Sequence, residues 1–286
     1  MKSRPVLLFV VLLALVSTPF YYMAVHYHGG TYNLMWGVTV ATLITCAILK
    51  RDLRTLGWSW GPWRYEWAAL LIPLAYCVVA YAVIWSAGWG GFYDPKFAAD
   101  LRQSYGVTGW SDLAVLAYVI PLRATFGLAG SLSSAIGEEI GWRGFLVPEL
   151  SRTMSFTGVA LTSGVLWFAY HLPLILLGNY HNNSPAALPL AGQLLAFFTC
   201  VVGDAIIMAY LRLKSGSLWT GAILHAAHNL FIQSILNPLT INHPDTPKYV
   251  DELGVVLPLT ILPIALYFWF RGRREFGPSP SVAPAR

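Results

Sequence analysis

Charge is scarce in this 286-residue chain. Asp, Glu, Lys and Arg make up 11% of the residues, hydrophobic types 56%, and the mean hydropathy is +0.57. A soluble globular domain carries roughly 25% charged residues, so a water-soluble fold is excluded. Cysteine is equally rare. Cys46, Cys77 and Cys200 all lie in apolar stretches, where they read as small buried apolar residues and not as a disulfide framework. Basic clusters with interleaved aromatics are missing, which excludes nucleic acid as a partner. The alternation of a β-barrel is missing too, as are internal repeats and any stretch polar enough to form a separate soluble domain.

Long uncharged runs are what the chain does have. A bilayer crossing needs about 20 apolar residues, and only helices and closed barrels satisfy their backbone in lipid. Clean runs occur at Pro5–Val25, Thr31–Leu49, Trp67–Phe92, Thr153–Tyr180, Asn182–Leu211 (interrupted by Asp204), Ser215–Leu236 and Leu253–Phe270, with a less clean one between Ser111 and Leu150. The expected fold is therefore all-α: a polytopic membrane protein of about eight transmembrane helices. The bilayer itself is the first expected partner. Residues 1–110 would hold the first three helices, 111–272 the catalytic core, and 273–286 a disordered tail.

Orientation follows from Lys and Arg, which favour cytoplasmic loops. With an inner N-terminus, the outer loops hold only Lys96, Arg102 and Lys248, and Arg123 falls within the fourth run. The remaining fourteen of the 18 basic residues lie on the inner side. Both termini are expected in the cytoplasm, and the first run is read as an uncleaved helix and not a signal peptide. The membrane expected is a bacterial plasma membrane, or the endoplasmic reticulum if the source is eukaryotic.

The fourth run allows two registers. One, from Ser111 to Ser134, puts Arg123 at mid-membrane. The other, from about Thr125 to Val147, lets Arg123 snorkel to an interface and puts Glu138 inside. The second is preferred, because it brings Glu138 level with other polar residues. Glu138 precedes Arg152 by 14 residues, His171 follows Arg152 by 19, and His225 and Asn229 follow Lys214 by 11 and 15. At about 1.5 Å per residue, all lie at similar depth, which suggests one site reached from the cytosol.

Ionisable groups inside a membrane are functional hypotheses by default. In Glu138-Glu139-Ile-Gly-Trp-Arg143, Glu139 and Arg143 are four apart, in the order that favours a helical ion pair. Glu138 points about 100° away and is left as the candidate base. Trp167 and His171 share one helix face, as do His225 and Asn229. The bland readings are a solvated turn for the Glu pair, a satisfied structural histidine for His171, and an interhelical hydrogen-bonded knot for His225 and Asn229. No catalytic role is expected for His228, and Asp204 and Arg123 receive no firm role.

A carboxylate and a histidine can activate water, while another histidine and an amide can stabilise an oxyanion. Together these suffice for peptide hydrolysis. Neither a Gly-x-Ser-x-Gly elbow nor an intramembrane His-Glu-x-x-His helix is present. A zinc alternative would use Glu138, His171 and His225 as ligands with water in the fourth position. Intramembrane Glu, Asp, Arg and His also serve proton-coupled transporters and channels, and a non-catalytic immunity protein is a third reading.

The order Glu-Glu-x-x-x-Arg, aromatic-x-x-x-His and His-x-x-x-Asn, each in an apolar helix, resembles the CPBP family of type II CAAX prenyl endopeptidases and bacteriocin-processing or self-immunity (Abi) proteins. GEEIGWRGFL, LWFAYHLP and GSLWTGAILHAAHNLF carry the likeness, over Gly137 to Phe231. The first three helices resemble the family only in being hydrophobic. Trp167 stands where Phe is commoner, and Asp204 is no motif residue. The resemblance implies an intramembrane endopeptidase acting on a membrane-associated, lipidated or leader-peptide substrate. Glu138 would be the general base, His171 would help hold the water, and His225 and Asn229 would form the oxyanion hole. Glu139, Arg143 and Trp167 would be supports. A metal-free glutamate mechanism without cofactor is implied.

Overall fold

The computed structural model describes residues 4–27, 31–178, 180 and 184–277. Its long helices fall where the apolar runs lie: α1 (Arg4–Tyr27), α2 (Thr31–Ile48), α3 (Trp63–Ser86), a short α4 (Pro95–Ser104), α5 (Asp112–Ser151), α6 (Phe156–Leu177), α7 (Leu190–Ser215), α8 (219–236) and α9 (Val256–Glu275). Among the described residues, α1, α3, α5, α6 and α7 are long and apolar enough to cross a membrane, and α2 is a shorter apolar helix. The other two members of the expected eight are diluted by polar residues, α8 by His225, His228, Asn229 and Gln233 and α9 by its terminal arginines. Arg273, Arg274 and Glu275 continue α9; residues 278–286 of the expected tail lie outside the described residues.

The chain is a multi-pass integral membrane protein, and its side chains are sorted accordingly. Leu7, Leu15, Leu71, Phe126 and Leu195 point outward, while Glu138, Glu139, Arg143, Asp204 and His225 are buried. That distribution inverts the soluble rule, under which charged residues are almost never buried. Interior prolines at 19, 73, 173 and 263 are tolerated, as is common in membrane helices. The third run ends earlier than expected: α3 stops at Ser86, and Gly91–Phe92 instead pairs antiparallel with Thr240–Ile241 as a two-residue ribbon. Gly216, at φ +73°, ends α7 in the left-handed conformation that glycine adopts without strain.

Both registers weighed for the fourth run are contained in α5, a single 40-residue helix. It is not uniformly α-helical. Val115–Val119 and Ile140–Leu146 are π-helical. In α8, likewise, α-helix runs from Trp219 to Asn229 and π-helix from Leu230 to Leu236. In both helices the wider coil begins directly after a motif residue, Glu139 in one and Asn229 in the other, and in α5 it includes Arg143.

Contacts define two ends of the helix assembly. At one, Arg51 pairs with Glu149, Lys214 with Glu275, and Leu218 N–H bonds the Gly57 carbonyl. At the other, the small ribbon, the Arg102–Asp112 pair and the Tyr180–Glu252 hydrogen bond gather the remaining connections. The first end is rich in Lys and Arg, and the second holds Lys96, Arg102 and Lys248.

Candidate active site

Glu138, on α5, is buried and fixed through one oxygen. Its Oε2 accepts the indole N–H of Trp142 at 3.0 Å and of Trp167 at 2.7 Å. The first donor comes from the same helix four residues on, the second from α6. Among the described residues Oε1 has no hydrogen-bond partner.

Glu139 and Arg143 form the expected i, i+4 pair at 2.8 Å and are buried almost completely. The pair does more than brace one helix. Glu139 Oε1 also lies 3.1 Å from Nδ1 of His225, on α8, and the Arg143 guanidinium sits 4.3 Å from the centre of the Trp167 ring. Gly221 makes this meeting possible. A Cβ at that position would lie 2.8 Å from Glu139 Oε2 and 2.9 Å from Arg143 Cγ. The Trp167 ring packs edge-on against His225, with centroids 5.2 Å apart.

His171 Nδ1 lies 2.9 Å from the Trp167 carbonyl. A carbonyl only accepts, so this nitrogen carries a proton and Nε2 is the free position of the neutral ring. Glu138, Trp167, His171, His225 and Asn229 all line one cavity of about 140 Å³. Glu139 and Arg143 stand behind it.

A catalytic zinc ion would need three converging protein ligands besides water. Glu138, His171 and His225 share the cavity, yet among the described residues no group of three or more His, Cys, Asp or Glu side chains is placed to hold a metal ion.

The cavity has a second polar wall that sequence reasoning missed. His228 is buried, with Asp204 Oδ2 3.1 Å from Nδ1 and Glu252 Oε1 2.9 Å from Nε2. The Tyr76 hydroxyl lies 2.7 Å from His228 Nδ1 and 3.2 Å from Asp204 Oδ1. Tyr180 donates to Glu252 Oε2 at 3.0 Å. Burial alone would raise the Glu252 carboxyl, but the hydrogen bonds from His228 and Tyr180 outweigh it and hold the group below the ordinary range. Asp204, alone in an apolar run, was the one local signal of this cluster.

The first helices contribute clamps. Tyr21 donates to the Tyr170 carbonyl, and the Tyr170 hydroxyl meets Ser17 Oγ at 2.9 Å and the Leu34 carbonyl at 2.8 Å. Thr39 on α2 bonds the Gly137 carbonyl at 2.5 Å, just before the Glu pair. Arg123 lies outside the cavity, its Nε donating to the Ser234 carbonyl at 2.9 Å.

The cavity is lined toward the end opposite the Lys- and Arg-rich one. Tyr180 and Glu252, from the connections at the opposite end, line the cavity, as do Leu34 and Met35 from the same end of α2. No lining residue comes from the turns at 49–62, 152–155 or 216–218.

Residues 120–231 match the family model described as "Type II CAAX prenyl endopeptidase Rce1-like". The chain is similar to a curated protein named CAAX prenyl protease 2 from Methanococcus maripaludis, with 25% identity over 162 residues. That alignment covers 56% of this chain and 52% of the relative, so the chain spans about half the length of the curated protein it matches. The matched segment contains all three motif pairs and both walls of the Glu138 cavity except Tyr76, Gln233, Glu252 and the two residues from α2. Over residues 120–231, then, the chain is similar to the Rce1-like type II CAAX prenyl endopeptidases.

Proposed function

We infer that this protein is an intramembrane endopeptidase that hydrolyses a peptide bond in a membrane-associated substrate, with Glu138 as the base that activates water. One observation carries the reading. Glu138 is anchored by Oε2 to two indole donors and keeps Oε1 unpartnered at a cavity shared with His171, His225 and Asn229. A carboxylate fixed at one oxygen presents the other in a defined direction, which is what a positioned base needs.

In this mechanism water sits between Glu138 Oε1 and His171 Nε2 and attacks the scissile carbonyl as Glu138 takes its proton. Asn229 donates its amide N–H to the developing oxyanion. His225, held at Nδ1 by the Glu139 carboxylate, turns its Nε2 side toward the same oxygen. Preorganised donors of this kind are worth about 2.7–4 kcal/mol each in comparable sites. The proton held by Glu138 then passes to the leaving amine. No metal takes part in these steps. Lys and Arg bias orients the termini and the basic end toward the cytoplasm, and the cavity then lies nearer the other face.

The test is cleavage of a panel of lipidated and leader-type peptides by purified protein in detergent. Wild type should cleave at least one. Glu138→Gln should lose turnover by at least about 1,000-fold while keeping its unfolding temperature, and a strong chelator should leave wild-type turnover unchanged. Chelator-sensitive turnover restored by zinc would overturn the metal-free mechanism. Proton-linked flux without peptide cleavage would overturn the protease.

A further inference from the structure

Glu138, His171 and His225 each have an anchor of their own at the cavity. Two indoles hold Glu138, His171 meets the Trp167 carbonyl, and His225 meets the Glu139 carboxylate. Asn229 differs. It lines the same cavity, yet among the described residues its amide meets no hydrogen-bond partner. It also stands where α8 widens from α- to π-helix. The direction of its amide is therefore set through the backbone, by whatever fixes the turn that carries it. The residue before it, His228, is held at both ring nitrogens. Nε2 lies 2.9 Å from Glu252 Oε1, while Nδ1 lies 2.7 Å from the Tyr76 hydroxyl and 3.1 Å from Asp204 Oδ2. Tyr76 belongs to α3, Asp204 to α7, and Glu252 to the connection that leads into α9. All four side chains are buried, and hydrogen bonds are stronger away from water.

We propose that His228 is the positioning residue of Asn229. Its three-way grip fixes the rotation of α8 at the point where the coil loosens, and so aims the Asn229 amide. This role rests on the endopeptidase reading above, in which that amide meets the developing oxyanion. Successive residues of an α-helix are turned by about 100°. A ring locked among α3, α7 and Glu252 therefore fixes the direction in which the next side chain leaves the helix. A reacting group displaced by about 1 Å can lose about 100-fold in rate, so an amide without a partner of its own needs a rigid neighbour. Packing alone gives no reason to bury two carboxylates and a phenol against one imidazole. Desolvating such charges is costly, and an apolar side chain of similar size would fill the space as well.

A mutant cycle on the turnover of the lipidated and leader-type peptides tests this. Tyr76→Phe removes one hydroxyl and keeps the ring. His228→Gln keeps a donor within reach of Glu252 and releases Tyr76 and Asp204. In otherwise wild-type protein kcat should fall by about threefold for Tyr76→Phe and about 10- to 100-fold for His228→Gln, with KM unchanged. In an Asn229→Ala background each should cost less than about twofold, because the group being aimed is gone. A loss that persists undiminished in that background overturns the proposal, and so does a loss carried by KM. A second readout needs no turnover. In protein carrying isotope-labelled asparagine, the Asn229 side-chain amide is the nuclear magnetic resonance signal that disappears in Asn229→Ala. It should stand apart in wild type and move to the position of a freely exposed amide in Tyr76→Phe and His228→Gln. A signal that neither variant moves overturns the proposal. If wild type cleaves no peptide, the endopeptidase reading fails for those substrates, and the amide signal alone decides whether His228 positions Asn229. Should His228→Gln not fold, Tyr76→Phe carries both measurements.

Discussion

The indole of Trp167 donates to Oε2 of Glu138 across two helices, at 2.7 Å. With Trp142 it forms a two-point clamp on one carboxylate oxygen. A hydrogen bond to a charged group is worth about 1.5–3 kcal/mol. Trp167→Phe keeps a ring over Arg143 and removes only the donor, so kcat should fall on the order of tenfold. Adding Trp142→Phe should cost more than the product of the single losses, since Oε2 would then have no donor. A double-mutant cycle on peptide turnover measures that excess.

Glu139 serves two partners at once, Arg143 and His225. Glu139→Leu would strand a fully buried guanidinium and should cost about 3–5 kcal/mol of stability, whereas a paired apolar replacement is far milder. The double variant Glu139→Leu/Arg143→Leu should recover most of the unfolding temperature. Its turnover should stay low, because His225 would lack its acceptor. Thermal unfolding in detergent, run beside the peptide assay, separates the two contributions.

Glycine positions give a matched contrast. A methyl at Gly221 would meet Glu139 and Arg143 below 3 Å, while one at Gly130, in the middle of α5, meets nothing within 4 Å. Gly221→Ala should destabilise by about 1–3 kcal/mol through overpacking. Gly130→Ala should stabilise by about 0.5–1 kcal/mol through helix propensity. Unfolding temperatures of opposite sign are the expected readout.

The position of the cavity can be checked in cells. In a background with Cys46, Cys77 and Cys200 replaced by alanine, Asp245→Cys marks the end near Glu252, and Thr153→Cys marks the basic end. Both positions are exposed. A membrane-impermeant maleimide added to intact cells should label Asp245→Cys and spare Thr153→Cys. Labelling of Thr153→Cys alone would turn the protein over and put the cavity mouth on the cytosolic side.

The helices and motif pairs were legible because their signals are local. Apolar runs, a four-residue spacing and the bias of Lys and Arg need no knowledge of what lies across the interface. What escaped depends on contacts between distant segments. Glu139 meets His225 from 86 residues away, and Tyr76 meets His228 from 152. Glu252 sits among Lys248 and Asp251, in a stretch that resembles an ordinary polar loop. His228 lies off the His225–Asn229 face, and its own face points to Asp204 and Glu252. Helical spacing says which residues share a face; it does not say what that face meets.

The wider coils that follow Glu139 and Asn229 make the catalytic arrangement a matter of phase. Each residue of an α-helix turns the chain by about 100°, so one residue more or less in 140–146 changes how the half bearing Glu138 is rotated relative to the half that follows. Deleting Phe145 or Leu146 would leave charge and every motif letter intact. It would nonetheless swing Glu138 and Glu139 around the axis relative to the half that follows, and so away from Trp167 and His225. The counting of residues through these loosened turns therefore carries as much of the site as the residues themselves, and a motif search blind to spacing beyond Arg143 would pass a chain whose carboxylates face the wrong way.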